Sequence, residues 1–143
     1  MNFRLIANTT SYVLWVEAGF LLLPLLVSVL YGEPWMPFFA TAVLCILIGF
    51  ILQLVPVKKA QMHSRDGFMV VALGWIALSL TGALPYVFSG ALNDYVDAIF
   101  ETVSGLTTTG STVFPEVEHL HRSVLLWRSL TQWMGGMGVL VLF

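Results

Sequence analysis

Residues 100–118 read "FETVSGLTTTGSTVFPEVE" and hold seven hydroxyl side chains, three of them the consecutive threonines 107–109, beside Gly110. The rest of the chain is of the opposite character. Of its 143 residues, 58% are hydrophobic and only 10% charged, and the mean hydropathy is +0.89. A soluble domain carries about 25% charged residues. No soluble fold of this length buries so much apolar surface, so the expected solvent is lipid. A polar, glycine-containing loop inside such a chain has to be explained by its neighbours on either side.

A bilayer core of about 30 Å takes roughly 20 apolar residues in helical form. Four stretches satisfy that: residues 11–31 (with Glu17 and Pro24), 35–55, 67–88, and from 123 to the last residue. Pro24 removes a backbone donor and is expected to bend the first helix. Residues 94–106, "DYVDAIFETVSGL", are apolar but too short. As a helix they reach only about 20 Å, which marks a re-entrant segment rather than a span. Asp94 is the expected N-cap and Asp97 lies in the first turn, where a carboxylate favours the helix dipole. The expected fold class is therefore an all-α membrane protein, with four transmembrane helices plus one re-entrant pore helix and filter loop.

Loop charges orient the chain. Arg4, Lys58, Lys59 and Arg65 fall on one side, whereas Asp94, Asp97, Glu101, Glu116 and Glu118 fall on the other. Lys and Arg mark the cytoplasmic face, so both termini are expected inside and the acidic region outside. Trp15, Trp35 and Trp127 are placed near span ends, as interfacial rings. The sequence stops within an apolar run, and we expect it to be the start of a longer protein.

A loop that enters the bilayer as irregular backbone survives only inside protein or around water. If residues 107–112 are extended, their carbonyls can converge and replace a cation's hydration shell. Gly110 permits the backbone angles this needs, the short helix aims its partially negative end at the same point, and outer carboxylates concentrate cations. A glycine that merely caps a helix is the plainer reading of the loop by itself. The order span, short helix, hydroxyl-rich loop with glycine, span is more specific.

"DGFMVVALGWIALSLTGALPYVFSG", "DAIFETVSGLTTTGSTV" and "WRSLTQWMGGMGVLVL" together resemble the first pore unit of the Trk/Ktr/HKT superfamily of potassium transporters, nearest its TrkH-type branch. The match is strong over residues 63–143. Residues 1–62 resemble the extra pair of transmembrane helices that this branch carries first. The resemblance implies potassium uptake across the cytoplasmic membrane of a bacterial cell, with K+ as the transported ion, no covalently bound cofactor, and symport with protons or sodium as a family possibility. It implies a pore of four linked units, of which one is present here. The remaining three units of the same chain, a second copy in a homodimer and cytoplasmic nucleotide-binding regulatory subunits are the implied partners. The filter maps onto Thr107, Thr108, Thr109, Gly110 and Ser111, with potassium at Thr108 and Thr109.

Arg128 has two readings, an interfacial arginine that snorkels outward or an ion pair with Glu101 that supports the filter. Gly135, Gly136 and Gly138 suit close helix packing, with a kink that widens the pore as the alternative. Glu17 lies about six residues into its apolar run and is expected to snorkel or to make a polar contact between helices rather than to carry ions. Cys45 is read as a small hydrophobe against lipid or a neighbouring helix. His119 and His121 beside Glu116 and Glu118 are conceivable metal ligands, but a solvated outer loop is the simpler account. No nucleophile–base pair, paired-carboxylate site or phosphate loop is present, so no enzyme is expected, and the net charge of -2 gives no argument for nucleic acid. The alternatives to transport are a helical membrane protein whose acidic loop binds a partner, and an inactive truncated product.

Overall fold

The computed structural model describes residues 3–54 and 64–142. Among these it is all helix: α1 (Phe3–Tyr31), α2 (Met36–Gln53), α3 (Ser64–Gly82), α4 (Leu84–Phe88), α5 (Tyr95–Leu106) and α6 (Arg122–Leu142). Three stretches are long and apolar enough to cross a membrane: Phe3–Tyr31, Met36–Gln53 and Arg65–Phe88. The third combines α3 and α4. Pro85 has no backbone N–H, so the ladder breaks at Ala83 and resumes with the proline in the first turn of α4. α6 is 21 residues long, or about 31 Å. It has the length of a span but a more polar composition, with Arg122, Arg128 and Gln132. Lys58 and Lys59, on which the orientation partly rests, lie outside the described residues.

α1 starts eight residues earlier than the hydropathy pattern predicts and runs through Pro24, with the Ser28 hydroxyl donating to the Pro24 carbonyl at 2.9 Å. Its end is sharp. Gly32 takes φ +68, its N–H reaches the Val29 carbonyl at 3.4 Å, and the Glu33 N–H reaches that of Ser28 at 2.8 Å. This Schellman arrangement fills the orphan carbonyls of the last turn and needs a residue free to adopt a left-handed conformation. Pro34 then blocks continuation, and α2 returns antiparallel to α1.

The N-terminal pair is fastened to the later helices at two levels. Outside the spans, the Glu33 carboxylate accepts from the Arg122 N–H (2.8 Å), the Ser123 N–H (3.0 Å) and the Ser123 hydroxyl (2.7 Å). A side chain from the first turn of the chain thus caps the N-terminus of α6, where unpaired N–H groups and the helix dipole both favour an anion. Burial works against ionisation of Glu33, yet these three bonds and His121 nearby hold its carboxyl below the ordinary range. Inside, the core gathers Leu14, Ala18 and Leu21 of α1, Phe38, Ala42 and Cys45 of α2, Tyr86 of α4, Ala98 of α5 and Trp127 of α6.

Two expectations about position change. Trp127 is not an interfacial ring. It is fully buried, and its indole N–H donates to the Gly82 carbonyl at 2.9 Å. Trp15 lies well inside α1 and packs over Gly49 of α2, where a Cβ would overlap the indole. Only Trp35, 44% exposed at the N-cap of α2, sits at a helix end. The outward faces of α1 and α2 carry exposed Leu22, Leu26, Ile46, Phe50 and Ile51, as lipid-facing helices require.

Candidate functional site

The short helix forms as its sequence dictates. Asp94 is the N-cap in extended conformation, its carboxylate accepting from the Val96 N–H at 2.9 Å. α5 then runs 12 residues to Leu106, about 18 Å. Its last turn packs against α6 at very short range: a Cβ on Gly135 would fall on the Leu106 carbonyl. That contact admits only hydrogen at the position, and it favours the packing reading of the α6 glycines.

The chain leaves α5 by a tight reversal. The N–H groups of Thr107, Thr108 and Thr109 bond the carbonyls of Val103 (2.8 Å), Gly105 (2.9 Å) and Ser104 (3.0 Å), and the Gly110 N–H also reaches Ser104 at 3.4 Å. The last-turn carbonyls are thereby occupied by the loop itself. Two residues sit in the left-handed region, Gly110 at φ +78 and Thr108 at φ +57. Gly110 adopts it freely. Thr108 does not, since a β-branched residue at positive φ is a genuine outlier. Strain of that kind persists where surrounding bonds over-determine the backbone, and it clusters at functional sites. Nothing in the threonine run signals which of its members takes that conformation.

Among the described residues, the carbonyls of Thr107, Thr108, Thr109 and Gly110 accept no hydrogen bond. All four residues are exposed. Ser111 differs: its carbonyl accepts from the Ser104 hydroxyl of α5 at 2.5 Å. The Thr107 and Thr109 hydroxyls lie 2.8 Å apart, and Thr107 also donates to the Val103 carbonyl at 2.7 Å.

Behind the loop, Glu101 and Arg128 meet. The Arg128 Nε donates to Glu101 Oε1 at 2.6 Å. The same carboxylate accepts from the Thr112 hydroxyl at 3.0 Å and from the Val113 N–H at 3.1 Å. The Thr112 oxygen in turn accepts from the Phe114 N–H at 3.1 Å. The guanidinium lies 5.6 Å from the centre of the Phe114 ring. Arg128 is thus an ion-pair partner of the short helix, not a snorkelling side chain. Glu101 is only 4% exposed, so it leaves the set of outer carboxylates that could concentrate cations. A partly open cavity of about 50 Å³ lies between loop and helices, lined by Glu101, Ser104, Ser111, Arg128, Thr131 and Gln132.

The remaining candidates are elsewhere. His119 Nε2 lies 3.1 Å from Glu116 on the surface, and His121 Nδ1 lies 4.0 Å from Glu33. Among the described residues no three of His, Cys, Asp and Glu are grouped as a metal site. Glu17 is 1% exposed and stands midway along α1, because that helix begins at Phe3. It does not snorkel. It meets Thr81 of α3 and Cys45 of α2.

The profile of the TrkH family, described as cation transport protein, matches residues 35–143. The chain belongs to that family. The family is one of membrane transport proteins, not of enzymes. "Trk system potassium uptake protein TrkH" of Salmonella typhimurium is 38% identical over 99% of this chain and 30% of its own length. An uncharacterized cation transporter of Methanocaldococcus jannaschii is 40% identical over 86% of this chain and 26% of its own. The crystal structure of the potassium transporter TrkH from Vibrio parahaemolyticus superposes with a TM-score of 0.92 at 35% identity, covering 99% of this chain and 31% of that one. The chain therefore spans about 30% of the length of the relatives it matches, and it shares with them an all-helical, membrane-spanning fold.

Proposed function

We propose that this chain supplies one of four helix–pore loop–helix units of a potassium uptake subunit. Residues 1–62 form a preceding helical pair, and residues 63–143 form the unit itself, with α6 as its second span. The N-terminus is cytoplasmic and the membrane is the bacterial inner membrane. The observation that carries this reading is the run of carbonyls at Thr107, Thr108, Thr109 and Gly110, on an exposed loop, that have no partner among the described residues. Unpaired carbonyls are costly at membrane depth unless protein, water or an ion takes them up. A dehydrated cation is a natural partner for such oxygens. Potassium, rather than another cation, is the ion for which the TrkH relatives are named.

In this reading K+ sheds water against the carbonyls of residues 107–110, with Thr108 and Thr109 central. Ser111 anchors the strand through Ser104, and the Glu101–Arg128 pair holds its outer half. Three further units complete the ring, a second copy makes a homodimer, and cytoplasmic nucleotide-binding subunits regulate it.

The test is rubidium and potassium uptake in bacteria lacking their own uptake systems, expressing the full gene product that carries this chain. Gly110→Leu is expected to abolish uptake, because a branched side chain at φ +78 is strained and the carbonyls turn. Unchanged uptake and ion preference in that variant would sink the reading.

A further inference from the structure

Among the described residues Glu17 is the one carboxyl placed in the middle of a spanning helix, and the transport mechanism above makes no use of it. Its Oε2 lies 2.5 Å from the Thr81 hydroxyl and 3.7 Å from the Cys45 sulfur. The same Thr81 hydroxyl lies 2.7 Å from the Ala77 carbonyl one turn back on α3. A hydroxyl has one proton to donate. The Ala77 carbonyl can only accept. If Thr81 donates there, the short contact to Glu17 requires a proton on the carboxyl. No ion pair among the described residues involves Glu17, and an isolated charge in a spanning segment is expensive.

The place of this contact matters. Thr81 is followed by Gly82, whose carbonyl holds the Trp127 indole of α6 at 2.9 Å. A Cβ on Gly82 would come within 2.8 Å of the Thr102 methyl of α5 and 3.1 Å of Glu17 Oε1. Thr102 is adjacent to Glu101, the residue that grips the loop. Glu17 from α1, Thr102 of the short helix and Trp127 of α6 therefore converge on one point of α3, at Gly82.

We propose that Glu17 is a neutral carboxylic acid that acts as a positioning residue. It donates to Thr81, seats the Thr81–Gly82 turn, and through Thr102 sets where the short helix stands. The N-terminal helical pair thereby holds the loop in register through the short helix. The uptake part of this inference rests on the transport reading; its protonation part does not.

Two measurements test it on the full gene product. In reconstituted protein, difference infrared spectroscopy between wild type and Glu17→Gln should lose the carbonyl stretch of a protonated carboxylic acid. In cells, Glu17→Gln keeps a neutral donor of the same shape and should retain wild-type uptake and potassium-over-sodium preference. Glu17→Ala, which leaves Thr81 without its donor, should lower that preference by roughly tenfold, a typical effect of one missing buried hydrogen bond. If Glu17→Ala does not assemble, Glu17→Gln and the spectrum decide. An ionised, ion-carrying Glu17 predicts no lost band and uptake as poor in the glutamine variant as in the alanine one. Either result overturns the proposal, as does wild-type preference in an assembled Glu17→Ala. Absence of uptake in wild type counts against the transport reading alone, because the infrared measurement still reports on Glu17.

Discussion

Arg128→Met removes the charge that faces Glu101 while keeping most of the apolar stem. The carboxylate is then left 4% exposed, held only by Thr112 and the Val113 N–H. Removing one partner of a buried ion pair costs about 3–5 kcal/mol, mainly through the charge left behind. Arg128 retains 24% side-chain exposure, so water softens the loss and about 3 kcal/mol is the reasonable figure. That corresponds to roughly a hundredfold shift in the equilibrium between a gripped and a released outer strand. The assay is rubidium uptake together with potassium-over-sodium preference, run as a double-mutant cycle with Glu101→Gln. Each single variant should reduce both readouts. The double variant removes the orphan charge and should fall short of the summed losses by about 1–3 kcal/mol. Wild-type preference in Arg128→Met, or a cycle that is additive, would refute the claim that this pair holds the loop.

Two further outcomes follow from the packing and the charges. Gly135→Ala places a methyl on the Leu106 carbonyl, and overpacking of this kind costs about 1–3 kcal/mol. The expected result is a lower melting temperature of the purified protein, with Gly136→Ala nearly silent because its nearest neighbour is 3.9 Å away. Glu33 has its folded-state pKa lowered below the ordinary 4.5. Its stabilisation is complete above the unfolded-state value and is lost as pH falls through the folded one. Melting temperature against pH should drop less steeply on the acid side in Glu33→Gln than in wild type.

Much of the architecture was written in local pattern. The lengths of the apolar runs announce the spans, and Asp94 at the head of a 13-residue apolar stretch announces a short capped helix. These signals are legible because capping, turns and hydrophobic length depend on residues within one or two turns of each other. The Glu101–Arg128 contact lay at the edge of legibility: the two charges stand 27 residues apart, and the sequence left an ion pair open beside a snorkelling arginine. Other features had no local trace. Glu33 finds the start of α6 some 90 residues away, and Glu17 finds Thr81 across 64. Trp127 is drawn into the core by a carbonyl on another helix. The left-handed turn at Thr108 opposes its own residue preference and is imposed by the bonds around it. Local composition determined which segments enter the membrane and where a polar loop interrupts them. Only the packing of distant helices decided which polar groups are satisfied and which carbonyls stay free, because a buried group takes whatever partner the fold brings within hydrogen-bond reach.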